Sequence, residues 1–349
     1  MTLSVSETFS AMKAKLEHIV PPAELMLQAE LVVEIEELKR ERNAIILGHN
    51  YMEPALYHTV PDYTGDSLEL ARKSAQTDAD VIVFCGVEFM AETAKILNPS
   101  KTVLIPSDRA GCSLAESITA NDVRALKQRF PGVPVVTYVN SYAEVKAETD
   151  ICCTSGNAKA VVNALDSEQI IFIPDEYLAK NIARETGKKL IVPKKGPRGE
   201  LASQQLAPSG SLISWDGKCE VHEQFSLDDI EMIRKQFPEA VILAHPECPP
   251  EVCEASDYSG STSKMIDYVA NGTAKQFVLM TECSMGDNIA AENKDKELLR
   301  LCSVRCPHMA QISLEMTRNA LRDLKHEVKL PNDILVKAKK SLDRMLEIA

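Results

Sequence analysis

The strongest constraint on the fold is a pattern that occurs three times. Short apolar runs, each closed by a polar cluster, fall into three sets of three. The first set is AIILGHNY, VIVFCGVEFM and TVLIPSD. The second is PVVTYVNS, ICCTSGNA and IIFIPDE, and the third is AVILAHPE, DYSGSTS and QFVLMTE. Between them lie stretches such as DSLELARKSAQ, SYAEVKAE and SKMIDYVANG, which read as helices. Apolar runs alternating with helical stretches indicate parallel strands buried by crossover helices, an α/β architecture. The recurrence predicts three similar small α/β domains with short parallel sheets.

The strand ends carry the chemistry. The first strands end in Gly48-His49-Asn50-Tyr51, Tyr138-Val139-Asn140-Ser141 and His245-Pro246-Glu247. The second strands of sets two and three end around Thr154-Ser155-Gly156 and Gly260-Ser261-Thr262, and the third strands close on an acid, Asp108, Asp175 or Glu282. Ligands of open parallel sheets bind beyond the carboxyl ends of the strands. Hydroxyls and N–H groups at helix N-termini suit carboxylate or phosphate. Any one of these Ser, Thr, Asp or Gly residues serves equally well as a cap or a turn. Their threefold recurrence, with His or Tyr at every first-strand end, points to one site where the three units meet.

At 349 residues the chain exceeds the usual span of one core. We divide it into a helical segment at 1–42 and units at 43–125, 126–228 and 229–349, the last including C-terminal helices. The helical segment rests on AELMLQAELVVEIEELKRER, whose apolar residues recur at three- and four-residue steps. A net charge of −12 argues against nucleic acid or an anionic membrane as partner. Neither a signal peptide nor an apolar run of about 18 residues is visible, so a cytoplasmic location with reduced thiols is expected. The ten cysteines then read as packing residues, metal ligands or catalytic groups rather than a disulfide framework.

Three of them stand near unit boundaries beside small or turn-forming residues: AGCSL (Cys112), DGKCEVH (Cys219) and VRCPH (Cys306). They are separated by 107 and 87 residues. One cysteine per unit could converge on a single metal centre, leaving a coordination position open for substrate, as a Lewis-acid catalyst requires. Spacing does not decide between zinc and an iron–sulfur cluster. Cys85 and Cys152 lie inside apolar strand runs, and Cys153, Cys248, Cys253, Cys283 and Cys302 lack repeat-related partners; all seven read as structural.

The motifs GHNY…GDSLELAR, AETAKILNP, GCSLAE, YVNSYAEVKA…TSGNA, PDEYLAKNIARETGK, DGKCEVHEQF, LAHPECP, SGSTSKMI and CPHM occur in this order. In this the chain resembles the quinolinate synthases, the A proteins of bacterial de novo NAD synthesis, from about residue 30 to 320. The resemblance implies a pseudo-threefold arrangement of the three domains around a [4Fe–4S] cluster held by Cys112, Cys219 and Cys306. It implies condensation of iminoaspartate with dihydroxyacetone phosphate, with loss of phosphate and two waters, and coupling to an L-aspartate oxidase that supplies the imine. Matched by motif, the substrate-binding positions are His49, Ser67, Tyr138, Val139, Asn140, Ser155, His245, Pro246, Glu247, Ser261 and Thr262. Tyr51 matches an active-site tyrosine. The roles we expect are proton transfer by Glu247 and Tyr51, with His49, Tyr138 and His245 orienting and polarising substrate.

Two features depart from the family pattern. Where many members carry Cys-x-x-Cys-x-x-Cys, this chain reads Arg300, Ser303, Cys306, so a regulatory dithiol is not expected there. The stretch before Cys219, about 190–214, is rich in Pro, Gly and Ser and reads as an extended surface loop. Two other functions would also use dispersed cysteines, but each lacks a feature it needs. An iron–sulfur sensor would need a nucleic-acid or partner module that this acidic chain does not display. A zinc hydrolase on three thiolates lacks the His or carboxylate ligands that catalytic zinc prefers.

Overall fold

A computed structural model describes residues 3–193, 207–299 and 304–348. It contains three separate parallel sheets. In the first, β1 (Ala44–His49) lies between β2 (Tyr63–Gly65) and β3 (Val81–Cys85), and β4 (Thr102–Leu104) follows β3. In the second, β5 (Val135–Tyr138) lies between β6 (Ile151–Cys153) and β7 (Gln169–Ile173). The edge strand β8 (Lys189–Ile191) comes next in sequence, but it pairs outside β9 (Ser211–Ile213), which neighbours β7. In the third, β10 (Val241–Ala244) lies between β11 (Tyr258–Ser259) and β12 (Gln276–Met280), followed by β13 (Glu297–Leu298). Each sheet thus runs second, first, third, fourth in strand order, and the middle one adds β8 at its edge.

This order corrects the alignment of the first set. TVLIPSD forms the fourth strand, equivalent to β9 and β13. The second strand of the first unit is the three-residue β2, which has no apolar run to announce it. The equivalent of Asp175 and Glu282 is therefore Val87, since all three are N-caps of the helix after the third strand. Asp108 falls outside this position; its side chain is 70% exposed and faces His326.

A second repeat lies in the connections. Asp62, Asp150 and Asp257 immediately precede β2, β6 and β11. Each accepts a hydrogen bond from a first-strand N–H, of Ile46 (2.7 Å), Val135 (2.8 Å) or Ile242 (2.7 Å). Each carboxylate satisfies a backbone donor at the start of its sheet and fixes where the second strand begins.

The helical segment near the N-terminus comprises Val5–Leu16 and Pro22–Glu41. Pro22–Glu41 buries Leu25, Ala29, Val32 and Ile35 in the first unit's core. The two C-terminal helices turn back across the molecule. Leu314–Asp323 adds Leu314 and Leu321 to that same core, and Asn332–Glu347 adds Leu335, Ala338, Leu342 and Met345 to the core of the second unit. Of the stretch expected as an extended loop, residues 194–206 lie outside the described residues, and its described flanks include strand residues of β8 and β9. Among the described residues no helix is long and apolar enough to cross a membrane.

Candidate active site

The carboxyl ends of the three sheets open onto one cavity. Its wall includes Cys112, Cys219 and Cys306. It also includes His49, Tyr51, Tyr138, Asn140, His245 and Glu247, and the hydroxyl residues Ser67, Ser155 and Thr262. Three expected positions stand behind the wall instead. Val139 is buried in the second unit's core, the Pro246 carbonyl accepts from Asn181 Nδ2 at 2.9 Å, and Ser261 is the buried N-cap of the helix Thr262–Asn271.

The cysteines are presented by the same backbone device in each unit. The first residue of the helix after the third strand donates its N–H to the carbonyl two residues before the cysteine. These bonds are Glu88 to Ala110 (2.8 Å), Glu176 to Gly217 (2.8 Å) and Cys283 to Val304 (3.1 Å). Each cysteine then starts a helical turn, its carbonyl accepting at 3.0 Å from Glu116, Glu223 or Ala310. The N–H groups two and three residues beyond each cysteine point back at its sulfur: Leu114 and Ala115, Val221 and His222, His308 and Met309. Donors so placed favour a thiolate, as at any helix N-terminus. Burial acts the other way, pushing Cys112 up to about 12, Cys306 up to about 11 and Cys219 well above the ordinary thiol value. A cationic centre among the three sulfurs would reverse that balance.

The spacing of the donors bears on what that centre is. Among the described residues, the group of His, Cys and carboxylate ligand atoms lying within 4.8 Å of one another is Cys219, His222 and Glu247. The three cysteine sulfurs form no such compact group. Around one tetrahedral ion, metal–sulfur bonds of about 2.3 Å would bring thiolates to within about 3.8 Å of each other. At least one pair of the three thiols stands farther apart than two ligands of one tetrahedral ion.

Beside Cys219 lies a buried polar network centred on Glu247. Its Oε1 accepts from Asn140 Nδ2 at 3.0 Å, and its Oε2 lies 2.6 Å from His222 Nδ1. His222 Nε2 meets Thr281 Oγ1 at 2.9 Å, and Thr281 Oγ1 meets the Tyr51 hydroxyl at 2.5 Å. The His222 ring stacks on His245 with centroids 4.5 Å apart. At two first-strand ends the chain folds back identically: His49 Nδ1 accepts from the Tyr51 N–H, and His245 Nδ1 from the Glu247 N–H. In both rings this leaves Nε2 to carry the proton.

Electrostatics separates these groups. Burial, opposed by the charge on Glu247, lowers His49 to about 4. Burial and then the charge of His222 lower His245 to about 3. Burial and the Glu247 charge raise the Tyr51 and Tyr138 hydroxyls well above their ordinary value. At Glu247 burial acts upward but is outweighed by the charge and hydrogen bond of His222, then by His245 and Tyr138, so the carboxyl is held down at about 2. Near neutral pH His49 and His245 therefore present neutral imidazoles, Tyr51 and Tyr138 protonated phenols, and Glu247 a carboxylate.

Residues 33–347 match the family model described as quinolinate synthetase A protein. The chain is 50% identical to quinolinate synthase 2 of Mesorhizobium japonicum over 334 residues, 96% of each chain. It is 50% identical to the quinolinate synthase of Agrobacterium fabrum over 347 residues, covering 99% of this chain and 94% of that one. It is also 53% identical to the quinolinate synthase of Xylella fastidiosa strain 9a5c over 314 residues, covering 90% and 86%. The chain belongs to the quinolinate synthase family. These are enzymes of NAD biosynthesis.

Sequence reasoning passed over two residues of this family member's network. His222 lies three residues after Cys219, where a helical turn brings it beside the cysteine, and its Nδ1 is 3.2 Å from Cys219 Sγ. That spacing was the available signal. Thr281 follows β12 directly and carries no motif of its own. Among the cysteines expected to be structural, Cys85, Cys152, Cys153, Cys248 and Cys253 are free and buried. Cys283 is instead disulfide-bonded, and Cys302, with Arg300 and Ser303, lies outside the described residues.

Proposed function

We propose that this chain condenses iminoaspartate with dihydroxyacetone phosphate to quinolinate in the cytoplasm, using a [4Fe–4S] cluster held by Cys112, Cys219 and Cys306. The reaction balances as one imine and one triose phosphate giving quinolinate, phosphate and two waters, so no oxidant is needed. The observation that carries the reading is the convergence, in one cavity, of three identically presented cysteines and the Glu247–His222–Thr281–Tyr51 chain.

The residues divide the work. When bound, a cluster with one iron lacking a cysteine supplies a Lewis acid that polarises a substrate oxygen and eases loss of water. Substrate anions have no lysine or arginine to meet among the described lining residues. Ser67 and Thr262, at the first turns of the helices Ser67–Gln76 and Thr262–Asn271, offer hydroxyls and N–H groups there, and Ser155 adds a third hydroxyl. His49 and His245 donate from neutral Nε2–H groups and can hold a carbonyl or carboxylate oxygen without adding charge. Tyr51 holds a proton at its hydroxyl. As that proton leaves, Thr281 Oγ1 can pass one on from the doubly protonated form of His222, whose Nδ1–H the Glu247 carboxylate holds. Imine supply by a partner oxidase is part of the same proposal, because an imine of this kind hydrolyses in water.

The test is quinolinate formation from freshly generated iminoaspartate and dihydroxyacetone phosphate by protein purified without oxygen. We expect product from the iron-loaded chain and none from Cys306→Ala. Iron-loaded protein that makes no quinolinate would overturn the reading.

A further inference from the structure

The clamps that present the cysteines each act within one unit, yet a centre shared by three units needs its ligands held in register across units. Ser113, Glu220 and His308 follow Cys112, Cys219 and Cys306 by one, one and two residues. Each comes from a different unit, and all three line the cavity. Ser113 Oγ donates to Glu220 Oε1 at 2.8 Å. His308 Nε2 meets the same oxygen at 3.1 Å. One carboxylate oxygen thus gathers all three cysteine turns. The side chains of Glu220 and His308 keep 40% and 26% of their exposure, which puts the tie at the solvent-facing rim of the cavity.

We propose that Glu220 is a positioning residue for the metal centre: through Ser113 and His308 it locks the three cysteine turns together and slows the loss of the cluster. Glu220 acts through the turns and is given no part in the chemistry. The backbone bonds fix each turn to its own sheet. Trp215 Nε1 ties the second unit to the Ser117 carbonyl of the first at 2.9 Å, but that bond does not reach the Cys306 turn. The Glu220 tie does reach it.

This inference rests on the metal-centre reading, and its test separates the two. Wild type, Glu220→Ala, Glu220→Gln, Ser113→Ala and the Ser113→Ala/Glu220→Ala double variant would be loaded with iron and sulfide without oxygen. Cluster loss to an excess of chelator would then be followed by visible absorbance. Loss of a residue that orients metal ligands commonly costs about 10- to 100-fold in metal retention, and we expect Glu220→Ala to lose its cluster faster by that factor. Glu220→Gln keeps an oxygen that accepts both bonds and should stay within about threefold of wild type. The double variant should lose iron no faster than Glu220→Ala, because Ser113 acts through the same oxygen. Unfolding midpoints of the cluster-free proteins should be unchanged. Wild-type retention in Glu220→Ala, no rescue by Gln, or additive effects in the double variant would overturn the tie. A wild-type chain that takes up no iron would overturn the metal-centre reading beneath it.

Discussion

The two walls of the cavity use the threefold repeat in opposite ways. On the cysteine wall the three units agree in backbone and in residue type: the same clamp, the same helical turn, the same sulfur. On the strand-end wall they share the backbone position but differ in side chains, with His49 and Tyr51 from the first unit, Tyr138 and Asn140 from the second, His245 and Glu247 from the third. Under the proposed function, a centre that takes like ligands keeps the symmetry, whereas two unlike substrates call for a different group at each position. Repetition sets where side chains point, and divergence sets what they do.

The largest effect should come from breaking the unlike wall while sparing the like one. Tyr51→Phe and Glu247→Gln each remove a member of the proton path and should lower turnover by about 10²- to 10⁴-fold. Neither residue is expected to hold metal, so iron content should remain that of wild type. Near-normal turnover in either variant, or loss of iron along with activity, would erase the division between the walls.

A smaller effect sharpens the comparison from the structural side. Asp62, Asp150 and Asp257 do the same job in three units. Replacing any one with Ala leaves a strand N–H without its partner and should cost about 1–3 kcal/mol in chemical denaturation. The three costs should be alike. One large and two negligible losses would mean that the repeated bond is incidental to stability.

Much of this was legible in the sequence because buried parallel strands must be apolar along their length, as in AIILGH and QIIFI. Where that rule lapses, legibility lapses too. Tyr63–Gly65 is a three-residue edge strand whose first two residues are exposed, so it carries no apolar run; VIVFCGVEFM reads as the second strand in its place, and TVLIPSD shifts from fourth to third. The cysteines were legible as three boundary residues, but the shared clamp was not, since backbone hydrogen bonds leave no residue signature. His222 was visible inside DGKCEVH, yet only the fold reveals that its ring bridges Glu247 and Thr281. The C-terminal helices could be read as helices. Their packing on the first and second units depends on long-range contacts that no local pattern encodes.

The claim that three repeat-equivalent cysteines hold one cluster is tested most directly by counting iron and sulfide in the anaerobically loaded wild type and in Cys112→Ala, Cys219→Ala, Cys306→Ala and Cys152→Ala. The account predicts about four irons and four sulfides per chain in the wild type. It also predicts a comparable collapse in each of the first three variants and wild-type content in Cys152→Ala, whose thiol is buried in the second unit's core. A single bound metal ion, or full iron content after loss of any one of the three cavity cysteines, would contradict it.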